Sequence, residues 1–106
     1  QWQWAAKGGN LSKGYNYSGS NTVESVAWYS GNSGSTTHQV KTKQPNEIGL
    51  YDMSGNVSEW TCTRYNNSSY YHCGGAYGQS ASYITWNSSS YTGSSSNYIG
   101  LRLFTY

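Results

Sequence analysis

A change of composition past the middle of the chain constrains its fold more than any other sequence feature. Between residues 63 and 98, here called the biased segment, 25 of 36 residues are Ser, Tyr, Asn or Gly, and none is Asp, Glu or Lys. Ile99, Leu101 and Leu103 then alternate with other residues, which predicts a closing strand over 98–106. Because seven tyrosines and a closing strand have area to bury, the biased segment is predicted to lie within the fold and not to be a disordered linker.

The remainder of the chain is rich in turn residues, and its apolar residues are irregularly spaced. Residues 46–60 carry Gly49 and Gly55 among apolar side chains, which predicts a tightly wound loop that enters a strand over 59–64. The first six residues alternate aromatic and polar types, and predict either a short strand or the end of a helix. With 106 residues in all, we expect one α+β domain, rich in loops, on a small antiparallel sheet. Its buried core is predicted to include Trp28, Leu50, Trp60, Ile99, Leu101 and Leu103.

Charge and composition exclude several classes of function. Charged residues make up 9% of the chain, and the net charge of +2 comes from basic residues scattered along it, so no nucleic-acid interface is expected. No apolar run is long enough to insert into a membrane. The single Asp leaves no Ser-His-Asp grouping, and His38 and His72 have no partners at zinc spacing. Cys62 and Cys73 either form a disulfide or are two small unpaired residues.

The biased segment has the composition of antibody binding loops. Tyr gives a large, stiff contact with few torsions to immobilise, while Ser, Gly and Asn give adaptable hydrogen bonds. Tyr and Trp also dominate the energetic centres of protein interfaces. The alternative is a polar, strand-rich surface with incidental tyrosines. On the first interpretation the aromatic side chains share one contiguous surface, and the predicted ligand-binding residues are Tyr70, Tyr71, Tyr77, Gly78, Ser80, Tyr83, Trp86, Ser88, Ser90, Tyr91, Ser96 and Tyr98.

Several motifs resemble the formylglycine-generating enzyme (sulfatase-modifying factor) superfamily. They are Gln-Trp-Gln-Trp-Ala-Ala-Lys-Gly-Gly at 1–9, Val-Ala-Trp-Tyr-Ser-Gly-Asn-Ser-Gly at 26–34, Pro-Asn-Glu-Ile-Gly-Leu-Tyr-Asp-Met-Ser-Gly-Asn-Val-Ser-Glu-Trp at 45–60, Gly-Gly-Ala-Tyr at 74–77 and Ile-Gly-Leu-Arg-Leu at 99–103. The resemblance implies a C-type-lectin-like fold for a single domain over 1–106. It also implies that the family's N-terminal part, with its first strand and helices, is absent from this sequence.

The superfamily that this sequence resembles has a catalytic and a non-catalytic branch. Enzymes of the superfamily oxidise a substrate cysteine with a cysteine pair that follows the Gly-Gly element, and those two positions fall at about Gln79 and Ile84 here. Neither side chain can perform thiol chemistry or bind copper, which needs a soft thiolate. An oxidoreductase therefore lacks its reactive groups in this chain, and we expect the protein not to be an enzyme.

The other branch comprises the variable proteins of diversity-generating retroelements. In these, mutation at adenines converts Asn codons into codons for Tyr, Ser, His, Gly, Thr, Ile or Cys, and the biased segment fits that set as a variable binding region. The resemblance implies an extracellular receptor or adhesion module, displayed on a phage tail fibre or a bacterial surface. Its ligand is expected to be a protein or another cell-surface molecule, and the module to form a homo-oligomer or a fusion to a fibre or anchor domain. A lectin-like glycan binder is the alternative.

The resemblance also places a structural calcium in the 45–60 block, although no cofactor is expected to be required. Its ligands are the side-chain oxygens of Asp52 and Glu59 and the carbonyls of Gly55 and Val57, and oxygen ligands of this kind suit calcium. Alternatively, the two carboxylates accept hydrogen bonds from backbone N–H groups and stabilise the turn without a metal. Arg102, in the closing motif, is expected to matter for the fold.

Overall fold

Helical structure is limited to short segments in the computed structural model, which describes residues 1–93 and 98–102. Helix α1 spans Trp2–Ala6 and helix α2 spans Val23–Val26, and single 3-10 turns cover Gly9–Leu11 and Ala81–Tyr83. The first six residues are therefore helical rather than extended, because Trp2, Ala5 and Ala6 share one buried face at helical spacing. No helix within the described residues has the length and apolar character needed to cross a membrane.

A four-stranded sheet forms the second half of the structure. Its strands are β1 (Ser58–Asn66), β2 (Ser69–Cys73), β3 (Ser89–Thr92) and β4 (Ile99–Gly100), arranged in the order β3-β2-β1-β4. β2 pairs antiparallel with both β1 and β3, whereas β4 runs parallel to β1. The strand predicted over 59–64 is thus part of β1. The closing strand is much shorter than the predicted 98–106, of which 103–106 lie outside the described residues.

A bulge interrupts the pairing of β1 with β2. Trp60 is paired with His72 and Arg64 with Tyr70, so three residues of β1 lie opposite the single residue Tyr71. The Thr61 hydroxyl donates a hydrogen bond to the Tyr71 carbonyl at 2.9 Å, which satisfies a backbone acceptor inside the irregularity. Bulges bend a strand and redirect its side chains, and they recur beside functional sites. This bulge alters the direction of β1 where it passes Tyr71.

The core consists of two small clusters rather than one large one. Trp2, Ala5, Ala6, Met53 and Cys73 form the first, with Leu50 and Trp86 packed against it. Val23, Val26, Ala27 and Ile84 form the second. Between the loops the buried Asn46 joins separate segments, since its Nδ2 donates to the Ala5 carbonyl and its Oδ1 accepts from the Leu50 N–H. Loop-to-loop hydrogen bonds therefore supplement the limited apolar core.

The predicted core residues are less buried than expected. Trp28, Leu50, Trp60 and Ile99 are half-buried rather than fully enclosed. The prediction was wrong for Leu101, which is 72% exposed, because β4 ends at Gly100 and the next side chain no longer belongs to the sheet. Leu103 lies outside the described residues.

Candidate functional site

Three tyrosines from three adjacent strands form an exposed group, here called the tyrosine cluster (Tyr65, Tyr71 and Tyr91). Tyr71 and Tyr91 are register partners in β2 and β3 and so point to the same face of the sheet. Tyr65 and Tyr91 stack with ring centroids 3.5 Å apart and planes 5° apart, and Tyr71 meets both rings edge-on. Tyr65 and Tyr91 remain 46% and 51% exposed. The three rings are thus packed against one another while they still face solvent.

The Tyr91 phenol in the tyrosine cluster has a raised pKa. The hydrogen bond to the Tyr65 side chain raises the pKa of Tyr91, and the Tyr65 charge and burial raise it further. A phenol whose pKa exceeds its ordinary value near 10 keeps its proton at neutral pH. The Tyr91 hydroxyl therefore forms a neutral polar group on an aromatic surface.

A cleft of about 300 Å³ lies beside the tyrosine cluster, on the face of the sheet that α1 covers. The Trp2 indole of α1 is held there by a 2.8 Å hydrogen bond to Glu59 of β1. Thr61 and Thr63, two residues apart in β1, both line the cleft. Its lining holds amides, hydroxyls and rings without a charged side chain: Gln1, Trp2, Gln3, Thr61, Thr63, Tyr71, Cys73 and Ser89.

Cys73, at the floor of the cleft, is a structural thiol. It is buried and free. Burial raises the pKa of the Cys73 thiol to about 11, and the nearby Glu59 carboxylate adds to the shift. Since a thiol needs its ionised form to react, this side chain is protonated and inert at neutral pH.

The sheet separates some of the residues that were predicted to share one surface. Tyr70 precedes Tyr71 in β2, and consecutive strand residues point to opposite faces. The Tyr70 ring accordingly lies away from the tyrosine cluster, where the Arg64 guanidinium sits 5.5 Å from its centroid. Tyr83, Ser88 and Ser90 line a small cavity together with the buried His72. The expectation of a single contiguous aromatic face was therefore too simple.

The other predicted binding residues have mixed surroundings. Tyr77 is half-buried, and its backbone bonds to Asn56 and Ser33 tie it to the framework loops. Gly78 and Ser80 are exposed.

Two further aromatic residues lie at the margins of the sheet. Trp86 packs against the first core cluster, with the Lys7 ammonium 5.7 Å from its ring. Tyr98 is 45% exposed, while its carbonyl accepts from the Ser58 N–H at the start of β1. Ser96 falls outside the described residues.

The residues expected to bind calcium do not form a matching ligand set. Both oxygens of the buried Glu59 carboxylate accept from Arg102, at 2.9 Å each, and Oε1 also accepts from Trp2. Asp52 accepts from the Lys41 backbone N–H through Oδ2, whereas its buried Oδ1 has no partner. A cation would fit beside Asp52, but at Glu59 it would meet a guanidinium.

Within residues 1–93 and 98–102, no three His, Cys, Asp or Glu side chains gather as a metal site. Gly55, whose φ is 77°, and Val57 continue the loop between the two acids. Asp52 accepts one backbone N–H, as the alternative without a metal expects, whereas Glu59 accepts from the side chains of Arg102 and Trp2, and calcium binding stays a prediction.

The two positions that correspond to the catalytic cysteines of the superfamily have structural contacts here. The Gln79 side chain accepts a 2.8 Å hydrogen bond from the Ala76 N–H. Ile84 is fully buried in the second core cluster. Neither position presents a reactive group to a ligand.

Sequence reasoning missed several residues around the tyrosine cluster. Tyr65 was within the biased segment but not among the predicted binding residues, and Gln3, Thr61 and Thr63 were not considered. Period-two alternation along β1 is the signal that could have found Tyr65, because it shares a face with Thr61 and Thr63 and the two extra residues of the bulge preserve that alternation. Nothing local in the sequence locates α1 over this face of the sheet.

Comparisons with known proteins support the motif assignment. The model of the sulfatase-modifying factor enzyme 1-like domain family matches residues 1–105. Variable protein 1 of Treponema denticola superposes with a TM-score of 0.79 at 34% identity over 94% of this chain. CarF superposes with a TM-score of 0.82 at 38% identity over 94% of this chain. The loop-rich fold with its mostly antiparallel sheet is therefore C-type-lectin-like.

Two other matches are narrower in what they show. The chaperone protein LppX of Paenibacillus barcinonensis is 40% identical over an alignment of 77 residues that covers 57% of this chain. PvdO from Pseudomonas aeruginosa, with a TM-score of 0.72 over 94% of this chain and 20% identity, shares the fold. The chain spans 28% of LppX and 43%, 42% and 48% of variable protein 1, CarF and PvdO.

Proposed function

We propose that the chain is a ligand-binding module of the variable-protein kind. It belongs to the family of sulfatase-modifying factor enzyme 1-like domains, and in this proposal it is not one of the enzymes that the family includes. The likeness to a variable protein over 94% of the chain supports this proposal. The observation that carries it is the tyrosine cluster beside an uncharged cleft. The target is a protein surface, and the module acts outside the cell, on a phage tail fibre or a bacterial surface, fused to a fibre or anchor domain or as a homo-oligomer.

The tyrosine cluster suits binding because its rings are already ordered against one another. A tyrosine offers up to roughly 150–250 Å² of contact area. If a partner covers roughly 100 Å² on each ring, burial contributes about 7 kcal/mol before the cost of association at about 25 cal/mol per Å². Because the stacked rings of Tyr65 and Tyr91 limit each other's rotation, little side-chain entropy remains to be lost on binding.

The absence of charge around the cleft favours a neutral epitope. The lining residues of the cleft are all uncharged types. Binding there should depend little on salt, in contrast to an electrostatically steered complex. A neutral glycan is the second candidate, since tyrosine rings and hydroxyls also suit a sugar, and Tyr65 and Tyr91 remain half exposed.

The chemistry of the two candidate reactive regions argues against catalysis. Gln79 and Ile84 replace the cysteine pair that the enzymes use, and both make structural contacts. The Cys73 thiol is buried, with its pKa raised to about 11. A reactive cysteine needs the opposite environment, exposed and with a lowered pKa.

The test is a display library in the 106-residue chain. Tyr65, Tyr71 and Tyr91 are randomised together and the library is selected against lysozyme, streptavidin and serum albumin, each immobilised separately. We expect folded binders to each target that melt somewhat below the parent. Exposed side chains such as Tyr65 and Tyr91 contribute about 0.5 kcal/mol or less each, and loss of the ring contacts of the half-buried Tyr71 adds about 0.5–1.5 kcal/mol per pair.

The control library randomises three exposed loop residues away from the site, Leu11, Ser12 and Lys13. It should give no binders of comparable affinity. Failure of the tyrosine-cluster library to fold, or equal yields of binders from both libraries, would contradict the proposal. Displacement of the parent chain from a cell surface by a neutral sugar would favour the glycan candidate instead.

A further inference from the structure

The cleft beside the tyrosine cluster is built from two different parts of the sequence. Thr63, Tyr71, Cys73 and Ser89 belong to the biased segment, while the opposite wall, with Gln3, comes from α1 and the first residues of β1. We propose that this wall is a constant subsite which binds an uncharged amide of the protein target, whichever side chains the tyrosine cluster carries. The inference rests on the proposed function and identifies what part of a target the cleft takes.

The wall residues differ in whether their polar groups are already engaged. The Trp2 indole donates to Glu59, and the Thr61 hydroxyl donates to the Tyr71 carbonyl. By contrast, the side chains of Gln3 and Ser89 make no hydrogen bond to the described residues, although Gln3 is half-buried against the cleft. The Gln3 carboxamide, unpaired at the edge of the cleft, is therefore available to bond a ligand without first breaking an internal hydrogen bond.

The chemistry of these groups selects an amide. A carboxamide has donor hydrogens and an acceptor oxygen, so Gln3 can pair with both the N–H and the C=O of one extended target residue, groups that belong to two successive peptide units. No charged side chain lines the cleft, so a carboxylate or an ammonium group would lose its hydration without gaining a counter-charge. A volume of about 300 Å³ accommodates a peptide unit with a short side chain.

The position of Gln3 is set by the framework and does not depend on the tyrosine cluster. Its helix is anchored by Trp2, which is 6% exposed, and by the buried Ala5 and Ala6. A pre-positioned amide loses little entropy on binding. Every protein target has backbone amides, so a fixed amide site remains useful when the neighbouring tyrosines are replaced.

The experiment uses the binders selected from the tyrosine-cluster library. Gln3→Ala is introduced into one binder for each of the three targets, and dissociation constants and dissociation rates are measured. We expect the dissociation constant to rise about 3- to 10-fold for all three, which corresponds to the net contribution of one hydrogen bond. Gln3→Glu, which keeps the shape but introduces a charge, should weaken all three at least as much.

The matched control is Gln39→Ala, at an exposed glutamine that does not line the cleft. This variant should keep the dissociation constant within about 2-fold, the variation expected for a substitution that does not contact the target. An unchanged affinity of the Gln3 variants, or a loss for one target only, would overturn the constant subsite and leave the binding function intact. No binders to any target would instead contradict the proposed function. Binding of mannose or galactose in the cleft, lost in Gln3→Ala and detected by NMR, would overturn the amide assignment in favour of a sugar.

Discussion

Arg102 should be one of the most costly side chains to remove from this protein. Its guanidinium makes two 2.9 Å hydrogen bonds to the Glu59 carboxylate and a 2.6 Å hydrogen bond to the Tyr51 carbonyl. Glu59 is 5% exposed, so Arg102→Met would leave a buried carboxylate with only the Trp2 indole as donor. Removing one partner of a buried ion pair costs about 3–5 kcal/mol.

The lower end of that range applies here, because the Arg102 side chain is 25% exposed and solvent reduces the interaction. The lost bond to Tyr51 adds about 1 kcal/mol, so we expect about 3–4 kcal/mol in total. In a domain of this size about 3 kcal/mol lowers the melting temperature by roughly 12 °C or more. Circular dichroism during thermal and urea unfolding measures both quantities.

Two further variants isolate the ion pair. Arg64→Met removes an arginine that lies exposed over the Tyr70 ring, and should cost about 0.5 kcal/mol or less. The double variant Arg102→Met with Glu59→Gln should be more stable than Arg102→Met alone, since it no longer buries an unpaired charge. A loss under about 1 kcal/mol for Arg102→Met, similar to that of Arg64→Met, would refute the assigned role of the ion pair.

Three other measurements test the framework. Gly55→Ala should destabilise the protein by about 3 kcal/mol or more, because φ is 77° and a Cβ would lie 2.3 Å from the Trp28 carbonyl oxygen. Gly34→Ala is the control: its φ is 66° but a Cβ would meet open space, so it should cost only about 1–2 kcal/mol. Urea unfolding measures both losses. Burial lowers the pKa of His72 below its ordinary 6.5, so the unfolded chain binds the proton more tightly than the folded chain. The free energy of unfolding should therefore fall as the pH drops below 6.5, and it should fall less steeply in His72→Gln. Unfolding measured between about pH 7.5 and 5 tests this. A chelator should leave the melting temperature unchanged, because the Arg102 guanidinium already occupies both oxygens of Glu59; a drop that added calcium reverses would instead support the calcium site.

The sequence predicted those parts of the fold that local pattern encodes. β1 was predicted from the strand-like residues after a glycine-rich loop, and the structure places it at Ser58–Asn66. The first six residues were compatible with a strand or a helix, and contacts with Met53 and Cys73, distant in sequence, select the helix. The ion pair of Glu59 with Arg102 joins residues 43 positions apart, so no local rule could find it, although Arg102 was expected to matter for the fold.

The candidate site was less predictable, because its geometry depends on register. Composition indicated a tyrosine-rich binding surface, but Tyr70 and Tyr71 lie on opposite faces as neighbours in β2. The bulge opposite Tyr71 then determines which residues of β1 join the tyrosine cluster. Leu101 shows the same limit, since alternation predicted burial but the strand ends one residue earlier.

Burial divides the biased segment into positions that can vary and positions that cannot. Residues 72–76 are all buried, and a Cβ on Gly75 would lie 2.4 Å from the side chain of Ile84, which is itself fully enclosed. Exchanging these residues would disrupt packing and cost several times the ~0.5 kcal/mol of a typical surface substitution. The rings of the tyrosine cluster, by contrast, contact one another, and Tyr65 and Tyr91 are about half exposed. A scaffold that diversifies its binding surface therefore has to keep 72–76 and Ile84 constant, and bulk exchange of the biased segment should preserve the fold only when these positions are spared.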